Sequence, residues 1–180
     1  YRKSRDWFAE QAKKLGTRIS QNSIMSTSSR QKAQFQIGKM YLYQYYPIGV
    51  KELPYYDSFP LVIPFSAEGN TFTGINFHYL PYKARYVLLR NLLDFASSKK
   101  LDEKSRLAMT WNFLKGVARY QGVDFAVKKY RVDRVQSNFI EIPGNQWFQA
   151  LLLPVERFNK GENMTQMDKN FVWTESGTRG

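Results

Sequence analysis

Residues 38–81 read GKMYLYQYYPIGVKELPYYDSFPLVIPFSAEGNTFTGINFHYLP, and this stretch decides the fold. It contains three short apolar runs, at 40–46, 61–65 and 72–80, that are rich in the β-branched and aromatic residues typical of strands. Proline, glycine and asparagine separate the runs and predict turns, because proline fixes φ while glycine and asparagine tolerate positive φ. We therefore predict a compact antiparallel unit of at least three strands.

Tyrosines alternate with other residues along the first run. In a strand, Tyr41, Tyr43 and Tyr45 share one face, while Met40 and Leu42 lie on the other. Because both faces carry large apolar groups, we expect both to be partly covered by other parts of the chain. Within the third run, a glycine at position 74 predicts a bulge or a close approach of two backbones.

Four helices and a further strand are predicted beyond this block. Residues 81–98 carry an apolar stripe at helical spacing, with lysine and arginine on the opposite face. A second helix is predicted over 102–120, a third and basic one over 124–134, a strand over 136–142 and a short helix over 146–152. The predicted fold class is α+β: a small bent antiparallel β-sheet or barrel packed by three to four helices, with extended N- and C-terminal arms.

The pattern divides the chain into three parts. Residues 1–37 predict a basic helix followed by a flexible linker rich in serine and threonine, and residues 38–158 predict one α+β domain. Residues 159–180 predict an extended tail whose one apolar spot, at 171–173, anchors it on the body or on a neighbour.

Positive charge is concentrated in two segments. The chain has a net charge of +12; residues 1–37 hold eight basic and two acidic residues, and residues 83–134 hold thirteen and five. A segregated basic surface favours a polyanion, because each lysine or arginine placed on a phosphate releases condensed counterions. The alternative is that these lysines only keep a solvated surface soluble. The candidate nucleic-acid-binding residues are Arg18, Arg30, Lys32, Arg90, Lys104, Lys115, Arg119, Lys128, Lys129, Arg131 and Arg134.

Catalytic and metal sites find little support in the sequence. With no cysteine and one histidine, His78, a zinc site is disfavoured, and we expect a core or turn histidine bonded to backbone. Asp57 precedes Phe-Pro and is expected to cap a turn. Asp124, Asp133 and Glu141 are the best carboxylates for a metal-dependent nuclease, but Glu141 is followed by isoleucine and proline and not by a lysine one residue on.

Glycine-rich nucleotide loops, a nucleophile elbow, a zinc finger and a convincing helix-turn-helix are all absent from the sequence. We therefore expect no catalytic residue, no metal, no cofactor and no small-molecule substrate. No apolar run is long enough to span a bilayer, so we also expect a soluble protein without a membrane partner.

Several motifs resemble small structural proteins of tailed, T4-like bacteriophages, in particular the DNA end protector family. They are GKMYLY at 38–43, LPYYDSFPLVIPF at 53–65, NFHYLP at 76–81 and LPVERF at 153–158. The resemblance implies a non-enzymatic protein of the phage virion, found in the host cytoplasm during assembly. Such a protein sits on the ends of the linear double-stranded genome without sequence preference, shields them from host exonuclease, aids head completion and contacts other virion proteins.

Two hypotheses follow. In the first, lysines and arginines bind phosphates of a DNA end, and an aromatic residue from the 43–56 cluster or Trp111 stacks on the terminal base pair. In the second, the chain is a structural subunit of the phage neck, tail or baseplate, and its basic face meets acidic neighbours.

Overall fold

The computed structural model describes residues 28–97 and 124–178. The predicted helices at the N-terminus and over 102–120 lie outside the described residues, as do Arg18, Lys104, Lys115, Arg119 and Trp111. The strands are β1 (Gln31–Lys32), β2 (Met40–Leu42), β3 (Tyr56–Asp57), β4 (Leu61–Glu68), β5 (Thr71–Asn76), β6 (Val127–Arg131), β7 (Phe139–Ile142), β8 (Phe158–Lys160) and β9 (Thr165–Gln166). The helices are α1 (Tyr82–Ser97), α2 (Trp147–Ala150) and α3 (Lys169–Thr178).

The strands form two antiparallel sheets. The larger has the order β1-β7-β2-β4-β5-β6 and the smaller has the order β3-β8-β9. Helices and antiparallel sheets occur together, as an α+β fold requires. The described strands do not close into a barrel, because β1 and β6 are the edges of the larger sheet. Within the described ranges, no helix is long and apolar enough to cross a bilayer.

Both faces of the larger sheet are covered along β2, as the alternation along the first run predicts. Met40 and Leu42 belong to the main core together with α1, while Tyr41 and Tyr43 belong to a second cluster on the opposite face. In that cluster Tyr43 is fully buried, and its ring makes edge contacts with four aromatic neighbours, Tyr45, Phe72, Tyr130 and Phe139. The aromatic content of the chain is therefore used largely for packing.

The predicted close approach at Gly74 is confirmed. A Cβ atom built on Gly74 would lie 2.5 Å from Val62 Cγ1 and 2.7 Å from the Ile63 carbonyl oxygen. The register between β4 and β5 also shifts between Pro64 and Ser66, directly beside this position. Glycine thus lets the two longest strands of the sheet lie against each other where the sheet bends.

Three predicted elements differ from the structure. The basic helix predicted over 124–134 is wrong: a 3-10 turn leads into β6, which pairs with β5 along its whole length. The strand predicted over 72–80 ends at Asn76, because the Asn76 side chain accepts a hydrogen bond from the His78 amide at 3.0 Å and caps a 3-10 turn. The first run leaves the sheet after Leu42 and returns only at the Tyr45–Val135 bridge.

The predicted extended tail is also wrong. Residues 159–178 form the β8–β9 hairpin arm and α3 instead. Asp168 caps the helix through its carboxylate, which accepts from the amides of Asn170 and Phe171. Trp173 is 5% exposed and its indole donates a 2.7 Å hydrogen bond to the His78 carbonyl, so the aromatic spot anchors on the body as predicted.

A candidate nucleic-acid interface at the β6 edge

The described candidate basic residues lie in three places. Arg30 and Lys32 lie at the β1 edge, and Arg90 is on the exposed face of α1. The remaining four, Lys128, Lys129, Arg131 and Arg134, lie on β6 and the 3-10 turn after it. Five strand spacings separate β1 from β6, about 24 Å along the sheet. The sheet therefore groups the last four residues, and it does not bring them together with Arg30 and Lys32.

Two of the four are committed to structural contacts. Arg131 forms a two-pronged ion pair with Asp133, at 3.0 Å and 2.7 Å. Arg134 donates from Nε to the Tyr46 carbonyl at 2.9 Å and from its terminal nitrogen to the Pro47 carbonyl at 3.3 Å. Arg131 is therefore largely neutralised, while Arg134 fixes the loop that follows the first run.

The other two lysines have no acidic partner in the described part of the chain. Lys129 is exposed, while Lys128 is half-buried with Nζ 4.2 Å from the centre of the Tyr79 ring. Burial lowers the pKa of Lys128, because an ammonium ion loses hydration there without gaining a carboxylate. A positive charge is thus held against an aromatic face and remains available to an anion.

Both lysines lie on a cleft of about 160 Å³, which we call the tyrosine cleft. Its remaining lining residues come from the end of the first run and the loop after it, from β3, from the turn after β5 and from β6. They are Tyr45, Pro47, Leu53, Tyr55, Tyr56, Asp57, Tyr79 and Tyr130. The strand pairing of β6 with β5 is what places Lys128 and Lys129 beside tyrosines more than 70 positions earlier in the chain.

Asp57 is one of the residues that line the cleft and is 3% exposed. Its Oδ2 atom lies 2.8 Å from His78 Nδ1 and accepts a hydrogen bond from the side-chain amide of Asn76, Nδ2, at 3.0 Å. Its Oδ1 atom accepts from the amides of Phe59 and Arg157, at 3.0 Å and 3.2 Å. Burial raises the pKa of Asp57, but the nearby His78 ring and these hydrogen bonds outweigh burial, so the pKa lies below its usual value.

These contacts confirm that Asp57 caps a turn and correct the prediction for His78. The His78 ring is bonded to a carboxylate and not to backbone. The fully buried pair joins β3 to the turn after β5, and the carboxylate has four donors around it. Its role is to fix the floor of the cleft.

The three carboxylates weighed for a nuclease do not converge. Asp133 is paired with Arg131, and Glu141 lies 3.4 Å from the Lys39 ammonium. Asp124 is exposed in the turn before β6. Among the residues that the structure describes, no three histidine, aspartate or glutamate side chains are grouped so that they could hold a metal ion.

Arg85 is a buried charge that sequence reasoning missed. Its guanidinium is fully buried, donates to the carbonyls of Leu80 and Leu151 at 2.7 Å each, and lies 3.9 Å from Glu156 Oε2. The signal was available, because Arg85 lies three residues after Tyr82 on the apolar stripe of α1. This network joins α1 to the C-terminal third of the chain.

The fold and the cleft define a class: a small basic α+β protein in which two lysines, without an acidic partner within 28–97 and 124–178, lie beside an aromatic cleft, an arrangement suited to nucleic-acid phosphates and bases. A comparison with family models makes the class specific. The model described as Phage T4 terminal DNA protecting protein matches residues 1–176, and the chain belongs to that family. No curated protein and no solved structure matches the chain significantly.

Proposed function

We propose that this protein binds the ends of linear double-stranded DNA, without sequence preference and without catalysis, and shields them from exonuclease. The observation that carries the proposal is the match of residues 1–176 to a family described as terminal DNA protecting. The net charge of +12 supplies the sequence-independent attraction, and the β6 edge supplies two lysines without an acidic partner among the described residues.

The proposal includes a place of action. A protein on the ends of a phage genome acts in the virion and in the host cytoplasm, and it is positioned to aid head completion and to contact other virion proteins. Large apolar side chains on the described surface suit such neighbours: Ile48 is 54% exposed and Phe171 is 50% exposed. The same side chains favour a second candidate function, a structural subunit of the neck, tail or baseplate.

A mobility-shift titration tests the first candidate. The purified chain is added to blunt linear duplex in the presence of relaxed closed-circular DNA of the same sequence, over a series of salt concentrations. We expect linear DNA to resist the circular competitor and to survive digestion by a double-strand exonuclease. If closed-circular DNA competes as well as linear DNA at the same concentration of base pairs, end binding is contradicted and the structural-subunit function is favoured.

Two controls make the assay specific. Incubating DNA with the chain and Mg²⁺ alone should leave the DNA intact, since the protein is proposed to have no nuclease activity. The slope of log affinity against log salt reports the number of phosphates engaged, at about 0.9 per phosphate. Lys129→Gln should reduce that slope by about one phosphate, while Lys83→Gln, an exposed lysine on α1, should leave it unchanged.

A further inference from the structure

We infer that the tyrosine cleft holds a single unpaired terminal nucleotide of a DNA strand, with its base among the tyrosine rings and its phosphate on Lys128 and Lys129. The inference rests on the proposed function and adds a site to it. The inferred mode of binding also differs from stacking on an intact base pair. The protein would hold the DNA end by one base that has left the double helix, and no aromatic side chain would stack on the terminal base pair.

The size of the cleft sets the class of ligand. Its volume of about 160 Å³ is close to that of a protein cavity that holds one benzene ring, about 150 Å³. Sites for drug-sized molecules and cofactors are larger, about 300 to 1,000 Å³. The cleft therefore fits one planar base, while the sugar and phosphate remain at its mouth.

The rings of the cleft are held in place before any ligand arrives. Tyr55 is hydrogen-bonded through its hydroxyl to Ser176 at 2.7 Å, and Tyr56 donates to the Gly161 carbonyl at 2.9 Å. The Tyr45 hydroxyl accepts from the Arg131 amide at 2.9 Å. Because these hydroxyl groups are bonded to the protein, the rings are fixed and lose little freedom when a base stacks on them.

The charge at the mouth suits a phosphate. No described carboxylate pairs with Lys128 or Lys129, and the one carboxylate of the lining, Asp57, is already bonded to four donors. A phosphate at the mouth would give Lys128 a counter-charge that compensates for the hydration its ammonium group loses on burial.

A strand end is favoured over an internal base. Taking a base out of a duplex costs a few kcal/mol, and the cost is smallest where the base is already unpaired. The sequence-independent charge of the chain brings DNA to the surface, and the cleft then selects the one kind of position whose base is free. This selection would distinguish an end from the rest of the duplex without reading any sequence.

The test places 2-aminopurine, whose emission depends on stacking, at the terminal or at an internal position of a short linear duplex. The full chain is titrated against blunt duplex and against duplex with a single unpaired nucleotide at the end. We expect an emission change at the terminal position only, and about tenfold tighter binding of the unpaired end. Equal responses at both positions would overturn the inference.

Two variants with matched controls locate the site. Leu53→Trp fills the cleft from its rim without changing charge, and Ile48→Trp adds the same bulk on the same loop outside it. Lys128→Met removes the ammonium group, with Lys83→Met as its control. We expect each cleft variant to weaken binding of the unpaired end about tenfold or more and neither control to do so. Unchanged binding by Lys128→Met, with a native circular dichroism spectrum, would overturn the inference even if Leu53→Trp fails to fold.

Two further outcomes separate this inference from the proposed function. If a deoxynucleoside monophosphate displaces the terminal probe at the concentration at which the DNA end itself does, the cleft is a site for free nucleotides and the inference is wrong. If the cleft variants still protect linear DNA from exonuclease as the unaltered chain does, end protection stands and the cleft plays no part in it.

Discussion

Substituting Gly74 tests the packing of the two longest strands. In Gly74→Ala, the new methyl group would lie 2.5 Å from Val62 Cγ1 and 3.0 Å from the Pro64 Cα atom, where carbon atoms prefer about 3.5 to 4.0 Å. Val62 is fully buried and cannot rotate away into solvent. The overlap must therefore be relieved by separating β4 from β5, which are paired along six registered positions. Overpacking of this kind costs about 1 to 3 kcal/mol, and we expect the upper end because two of the three clashing atoms are backbone.

Urea unfolding followed by circular dichroism measures this loss, and two other glycines are matched controls. A Cβ atom on Gly144 meets nothing within 4 Å at an ordinary φ, so Gly144→Ala should change the free energy of unfolding by less than about 1 kcal/mol. Gly69 also has open space but a φ of +57°, so Gly69→Ala should lose about 1 to 2 kcal/mol from backbone strain alone. A loss at Gly74 no greater than that at Gly144 would refute the reasoning.

Three further predictions concern buried charge. Arg85→Met should lower the free energy of unfolding by about 3 to 5 kcal/mol, because Glu156 and the carbonyls of Leu80 and Leu151 lose their buried cation. Lys83→Met on the same helix should change the free energy of unfolding little. Thermal unfolding measures both variants. Because the pKa of Asp57 is lowered in the folded protein, the stability that its carboxylate contributes is complete at neutral pH and is lost as the pH falls below about 3.9. Asp57→Asn should therefore be less stable at pH 7. Its urea midpoint should also fall less steeply with pH in the acid range than that of the unaltered chain. The lowered pKa of Lys128 has the opposite consequence, because its charged form is less favourable in the folded protein than in the unfolded chain. Lys128→Met should therefore raise the urea midpoint at pH 7 while it weakens DNA binding. A lower urea midpoint together with weaker binding would contradict the conclusion that the buried charge opposes folding.

The sequence predicts best those elements that are determined by residues close to one another in the chain. The turns before β4 and between β4 and β5, the alternation of Tyr41 and Tyr43, and the apolar stripe of α1 are each set by neighbouring residues, and the structure has them where the pattern places them. β6 is different, because its partner β5 lies about 50 residues earlier in the chain. Lysines and a short apolar run before them fit either a helix or a strand, and only the distant pairing decides between the two.

The candidate site follows the same rule. The sequence identifies Lys128 and Lys129 as basic residues of interest and the 43–56 segment as a source of aromatic side chains. Their meeting in one cleft depends on β6 joining the sheet, so it could not be predicted while that segment was read as a helix. Of the aromatic residues in the 43–56 segment, Tyr43 is fully buried in the second cluster, so it belongs to the core and not to the candidate site.

The order of strands in the larger sheet has a consequence for synthesis. β7 inserts between β1 and β2, yet it is made about 100 residues after β2. At a synthesis rate of roughly 5 to 20 residues per second, the inner edge of β2 stays without its partner for about 5 to 20 seconds on the ribosome. During that time the nascent chain exposes tyrosine-rich strands with unpaired backbone groups, so premature release or truncation before Ile142 should produce an aggregating product and not a smaller working protein.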